Sequence, residues 1–162
     1  MAELPKGFFE AAEIATLIDQ DLSLTGVVVA IGINDYQRAL SSQSKGDAQE
    51  LAGSVDRLIR SLISANDFAY RRAAGEFIVV FPNEKGAVAQ SRIHQVAERL
   101  WDYQLRSLAA FSVLFSWGAV TVNEESFSDA VALAADEMSE TRDSRRGFGL
   151  ESIRTRRRAV SF

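Results

Sequence analysis

Phe68-Ala69-Tyr70-Arg71-Arg72-Ala73-Ala74-Gly75-Glu76-Phe77-Ile78-Val79-Val80-Phe81-Pro82 is the stretch on which the fold turns. Residues 77–81 form an unbroken apolar run, the pattern of a buried strand, and Pro82 stops it. Ala73-Ala74-Gly75 has the small side chains of a tight hairpin, in which Gly75 is free to take a positive φ. The spacing predicts two strands joined through residues 73–75, with the carboxylate of Glu76 following the turn.

The chain around this hairpin has 162 residues, one domain's worth and enough to bury a core. Hydrophobic content of 47% and charged content of 25% are ordinary globular values, which argues against wholesale disorder. No apolar run reaches the roughly 18 residues of a membrane span, and no basic-then-apolar signal opens the chain. The absence of cysteine excludes disulfides and thiolate metal sites without identifying a compartment. His94, the single histidine, lies in a helical pattern between Ile93 and Gln95 and reads as a helix residue, not a metal ligand.

Net charge of −4 hides an asymmetry. Arg142, Arg145, Arg146, Arg154, Arg156, Arg157 and Arg158 face only Asp143 and Glu151 near the end of the chain, which leaves the body acidic. Such a tail suits nucleic acid, anionic lipid, a nucleotide phosphate or the chain's own acidic face. Without interleaved aromatics, a solvated basic extension is the plainer reading.

In chain order, Pro5-Lys6-Gly7 is expected to open a helix carrying Phe8, Ala12, Ala15 and Ile18. Residues 24–33 are nearly all apolar and rich in valine, as in a central strand buried on both faces. After a polar loop at 41–46, Leu51, Val55, Leu58, Ile59, Leu62 and Ile63 form a helical core stripe. A turn at 83–86 leads to a helix with Ala89, Ile93, Val96, Leu100 and Trp101 on one face, followed by a strand over 111–122. Ser126 starts a last helix in capping-box fashion, with Asp129 where Glu or Gln is usual. Phe127, Ala130, Val131, Ala134 and Met138 follow at helical spacing, and residues 148–150 suggest a short final strand.

Ala73-Ala74-Gly75-Glu76-Phe77 resembles a degraded GG(D/E)EF hairpin, the signature of the diguanylate cyclase (GGDEF) domain. The resemblance extends over roughly residues 4–151, in element order as well as motif order, and the remaining residues 152–162 form a basic extension expected to be flexible. Leu4-Pro5-Lys6-Gly7 stands in weak form where the family has L-x-N-R. Gly32-Ile33-Asn34-Asp35-Tyr36-Gln37 lies along D-x-D-x-F-K, so that Gly32 falls at the metal-ligand aspartate. Gly46-Asp47 matches a G-D pair, Trp117-Gly118-Ala119-Val120 the V-S-I-G-V-A strand, and Ala135-Asp136-Glu137-Met138 the A-D-x-A-M helix. The implied fold is α/β (α+β): a largely antiparallel, ferredoxin-type sheet flanked by helices.

The implied chemistry is another matter. Joining two GTP molecules takes Mg²⁺ on hard oxygen ligands, and the resemblance places those carboxylates at Gly32 and Gly75. Each lost carboxylate removes several kcal/mol of transition-state stabilisation. Asp35 or Asn34 reaches the site only in a shifted register, and a one-residue slip turns side chains to the wrong face. No metal or other cofactor is therefore expected, and Mg²⁺ with GTP belongs only to the alternative of an active cyclase with displaced ligands. A purely structural dimerisation domain is a second alternative.

The first expectation is a catalytically inactive regulatory or docking module of bacterial cyclic di-GMP signalling, in the cytoplasm. Its partners would be another signalling protein or domain, GTP or cyclic di-GMP, or a second copy, and not nucleic acid. Four residues are nucleotide-binding candidates: Asp47, Glu76, Arg142 and Arg146. Asp47 suits either a guanine edge or a helix cap. Arg142 and Arg146 occupy the family's phosphate-holding positions if one deletion is allowed; otherwise Asp143 and Gly147 do, and basic residues also suit a helix C-terminus. Asp67 is the remnant of the family's R-x-x-D product-inhibition site, with Ser64 replacing the arginine. Arg71 coincides with an arginine common before the signature.

Overall fold

The structure is a computed structural model. It describes residues 4–20, 22–107, 113–148 and 155–157, with side chains described except at 144–148 and 155–157. In chain order the elements are β1 (Gly7–Glu10), α1 (Ala11–Gln20), β2 (Ser23–Ile33), α2 (Tyr36–Ser41), α3 (Lys45–Ser61) and β3 (Phe68–Ala73). They continue with β4 (Glu76–Pro82), α4 (Gly86–Ser107), β5 (Phe115–Ser126), α5 (Phe127–Phe148) and β6 (Thr155–Arg157).

The strands form one sheet in the order β1-β3-β4-β2-β5-β6. β2 runs antiparallel to β4 on one side and β5 on the other, and β3 is antiparallel to β4. The unit β2-α3-β3 thus straddles β4, and β4-α4-β5 straddles β2: two split βαβ units, the ferredoxin-type arrangement. β1 and β6 add parallel strands at the two edges.

Side-chain alternation sorts the core into two layers. Val27, Val29 and Ile31 of β2 face α3 and α4, meeting Leu51, Val55 and Ile59 from the first and Ile93, Val96 and Leu100 from the second. Val28 and Ala30 face the other way, toward Ile14 of α1 and Phe127, Ala134 and Met138 of α5. A strand covered on both sides has no polar face to show, which is why β2 reads as a continuous apolar run.

The chain start departs from expectation. Gly7–Glu10 pairs with β3 as a strand, and the helix begins only at Ala11. Phe8 and Phe9 explain this: alternation sends Phe8 into one core layer and Phe9 into the other, an arrangement a helix does not offer. The Glu10 backbone N–H then donates to Glu13 Oε1 at 2.8 Å, starting α1.

Farther along, β5 covers Phe115–Ser126, later than the expected 111–122, and residues 111–112 lie outside the described residues. Ser126 Oγ accepts from the Asp129 N–H at 3.0 Å, the capping contact expected there. Phe148 is the last residue of α5, not part of a strand; residues 149–150 lie outside the described residues. Three residues of the expected basic tail, Thr155–Arg157, form β6 against β5.

α5 lies very close to the sheet at Gly118, where an added Cβ would stand 2.4 Å from the Met138 backbone N and 2.5 Å from Glu137 Cβ. Gly118→Val is expected to lower the unfolding free energy by about 3 kcal/mol, through overpacking against a helix backbone that cannot yield. Gly53→Ala, in mid-α3 with only Arg57 Nη1 within reach at 3.6 Å, should instead raise it by about 0.5 kcal/mol. Urea midpoints of the two variants check both signs.

Tyr70 gives a second test. Burial, partly offset by the Arg72 cation, pushes its phenol up to about 12 from the ordinary 10.0. A folded value above the unfolded one contributes stability that is complete below pH 10 and lost as pH rises toward 12. Between these limits the wild type should lose thermal stability faster than Tyr70→Phe, a comparison made by melting both across that range.

Candidate functional site

The ends of β2, β4 and β5 meet the middle of α5 at one edge of the core. In the sheet Gly32 stands between Glu76 and Ser116. Ser116 is buried and donates its hydroxyl to Asn34 Oδ1 at 2.7 Å. Because Gly32 lacks a side chain, α5 fills the space above it: an added Cβ would lie 2.9 Å from Met138 Sδ and 3.2 Å from Arg142 Nη2.

Arg142 and Arg72 share Glu76. Arg72 Nη1 lies 3.2 Å from Glu76 Oε1, and Arg142 Nη2 lies 3.9 Å from Glu76 Oε2. Arg142 Nε is buried and has no hydrogen-bond partner among the described residues. Two guanidiniums around one carboxylate leave this corner with a net positive charge and unused N–H donors.

The hairpin tip is fixed from below. The Ile33 N–H donates to the Gly75 carbonyl at 2.9 Å, tying the turn to the end of β2. Gly75 has φ +74°, and its missing Cβ would lie 2.6 Å from Tyr36 Cγ and 2.8 Å from Tyr36 Cβ. Those are the stiff atoms of the tyrosine, so both backbone and neighbour demand glycine there. Burial against the turn raises the Tyr36 phenol above its ordinary value, with Arg71 opposing and Asp56 adding to the shift.

Of the four nucleotide-binding candidates, the structure brings Glu76 and Arg142 together. Arg146 stands one turn further along α5, with its side chain outside the described residues; Asp143 is exposed. Asp47 is exposed in the first turn of α3 and is not the cap. Ser44 is, its Oγ accepting from the Asp47 N–H at 3.1 Å, because only the residue before the first turn can aim an oxygen back at those donors. Asp35, the candidate for a shifted register, is an exposed residue at φ 52° preceding α2.

Asp67 is buried and engaged through one carboxylate oxygen. Its Oδ2 accepts from the Ser64 N–H and Oγ, each at 2.8 Å, and from Arg92 Nη2 of α4. Arg92 also reaches Glu84 at 3.4 Å, and its guanidinium lies over the Phe81 ring at 4.0 Å. Arg71 is likewise structural: it binds Glu10 at 2.9 Å and Asp56 at 2.8 Å, joining β1, β3 and α3, and these carboxylates raise its pKa. Among the described residues no group of three or more His, Cys, Asp or Glu side chains is placed to hold a metal ion.

Sequence reasoning passed over Arg72, Met138 and Arg92 as site or partner residues. Arg72 had a legible signal, since a hairpin closing at residues 73–76 brings it beside Glu76. Met138 fits the core stripe of the last helix and the A-D-x-A-M resemblance, and neither points to Gly32. Arg92 lies on a helix far along the chain from Asp67, and no local pattern links them.

No protein-family model matches the sequence, and no curated protein matches it. Solved structures do. The active GGEEF domain of a Vibrio cholerae diguanylate cyclase is 16% identical, with 82% of this chain and 85% of that one covered and a TM-score of 0.61. The FimX GGDEF domain of Pseudomonas aeruginosa is 12% identical, with 92% and 93% covered and a TM-score of 0.67. Vibrio cholerae LapD, an S helix–GGDEF–EAL protein bound to c-di-GMP, is 11% identical over 94% of this chain and 36% of its own, with a TM-score of 0.69. At such identities the likeness is one of fold: the chain has the GGDEF-domain fold, in agreement with the expected sheet.

The Asp67–Arg92 pair can be tested apart from that likeness. Arg92→Met keeps the apolar stem on Phe81 but strands a buried carboxylate, and should cost about 3 kcal/mol at neutral pH. Urea unfolding of the variant and the wild type at pH 7 would reveal the deficit.

Proposed function

We propose, with the GGDEF fold as premise, that this chain is a module of cyclic di-GMP signalling that does not cyclise GTP. It works by docking to another signalling protein or domain, and it retains a phosphate-binding corner at Arg142, Arg72 and Glu76. The observation that carries this reading is the packing at the two glycines. The resemblance assigns a metal carboxylate to each, and each position is closed, Gly75 by the Tyr36 ring and Gly32 by Met138 and Arg142.

The residues present do not fit Mg²⁺. That ion needs several hard oxygen ligands in near-octahedral array. Here one carboxylate remains, already shared by two guanidiniums. A carboxylate grown at Gly75 would meet the stiff part of Tyr36; one at Gly32 would meet the mobile ends of Met138 and Arg142 and pair with the guanidinium. A phosphate, by contrast, suits the corner as it stands. It would displace Glu76 from Arg142 and take up the idle Nε donor, with no divalent cation between them.

Three measurements test this. The protein incubated with GTP and Mg²⁺ should release no pyrophosphate, and its release would overturn the reading. Calorimetric titration with GTP should give the same affinity in EDTA as in Mg²⁺. Arg142→Gln should weaken that affinity about tenfold, the loss expected for one charge-assisted contact. A titration silent in both buffers would leave protein docking as the whole of the function.

A further inference from the structure

On the face of the sheet away from α5, a groove runs between α3 and α4. It has a volume of about 700 Å³ and is bordered by Arg57 and Ser54 from α3 and by Arg99, Asp102, Tyr103 and Arg106 from α4. That size is ordinary for a small-molecule site, for which about 300–1,000 Å³ is usual. Three guanidiniums against one carboxylate make the groove a positive region on a chain whose net charge is −4.

These arginines differ from others in the protein. Arg71, Arg72, Arg92 and Arg142 each lie within 4.0 Å of a carboxylate oxygen. Arg57, Arg99 and Arg106 have no such partner among the described residues. Arg99 is oriented by its own neighbourhood, donating to the Ser61 carbonyl at 3.3 Å and the Ser61 Oγ at 3.0 Å. Arg106 Nε makes a 3.4 Å contact with the Asp102 carbonyl. These contacts use a fraction of the five donors on each guanidinium. Deeper in, the Tyr103 hydroxyl donates to Ser54 Oγ at 2.9 Å, which leaves the serine proton free for an acceptor in the groove.

We propose that this groove is a second anion site, which takes a small phosphorylated molecule with at least two phosphate charges, held between Arg57 on one wall and Arg99 and Arg106 on the other. The guanidinium fork matches phosphate oxygens in pairs, and two facing walls favour a ligand that carries charge at both ends over a single sulfate-sized ion. The site shares no residue with the Glu76 corner and stands whether or not that corner binds nucleotide.

Tripolyphosphate is the probe, titrated calorimetrically into the whole chain in EDTA. The double variant Arg57→Gln/Arg106→Gln alters exposed side chains only, and its urea midpoint should match the wild type. Saturable binding of one tripolyphosphate per chain is expected in Arg142→Gln, in which the Glu76 corner is weakened, with at least tenfold weaker binding when the two groove arginines are also replaced. No saturable binding in Arg142→Gln would overturn the proposal, as would equal affinity with and without the groove arginines. Binding of a single-stranded RNA oligonucleotide at the same residues, with tripolyphosphate silent, would replace the small ligand with a polymer and equally overturn it.

Discussion

The closeness of α5 to the sheet governs the rest. At Gly118 the backbone of β5 lies against the backbone of Met138, and no side chain fits between them. Helix and strand can meet this way only over glycine, and Gly32 on the adjacent strand continues the shallow track. The helix therefore carries Met138 and Arg142 down onto the end of β2, where side chains of ordinary size would have held it off. The position of the Arg142 cation beside Glu76 follows from two absent methyl groups.

The two faces of the sheet have consequently taken different roles. The α5 face is close-packed, and at the strand ends Ser116 meets Asn34 and Glu76 meets Arg72 and Arg142, with the Arg142 Nε donor left over among the described residues. On the opposite face α3 and α4 pack their inner stripes on the sheet and leave a groove between them, along which Arg57, Arg99 and Arg106 have no carboxylate partner among the described residues. Arg71 joins these regions at the β1 edge, where its fork binds carboxylates from β1 and α3 and its Cζ lies 5.2 Å from the Phe77 ring centre.

Much of the fold was legible because burial on two faces and on one face leave different marks. The apolar runs at 24–33 and 77–81 and the stripe from Leu51 each named an element. The start of the chain misled, since Phe8 with Ala12 and Ala15 fits helical spacing as well as Phe8 with Phe9 fits alternation. Only the free edge of β3 decides between them. In the site, glycines at residues 32 and 75 were visible as missing carboxylates. What fills their place was not, because Tyr36 and Met138 are drawn there by packing between elements distant in sequence. Asp67 shows the same limit: its type and position were legible, its neutralisation by Arg92 was not.

The contact between Gly75 and Tyr36 also bears on how the sequence can change. A residue with a side chain at 75 is strained twice, by its φ and by the ring beneath it, so it becomes tolerable only after Tyr36 has been replaced and the turn reshaped. Replacing Tyr36 first removes the ring that covers the turn, with nothing gained in exchange. Each single step is uphill, while drift at the exposed Ala73 and Ala74 meets no such barrier. The turn behaves as a ratchet: its margins are free to wander, and its centre is held to glycine by a neighbour that glycine alone admits.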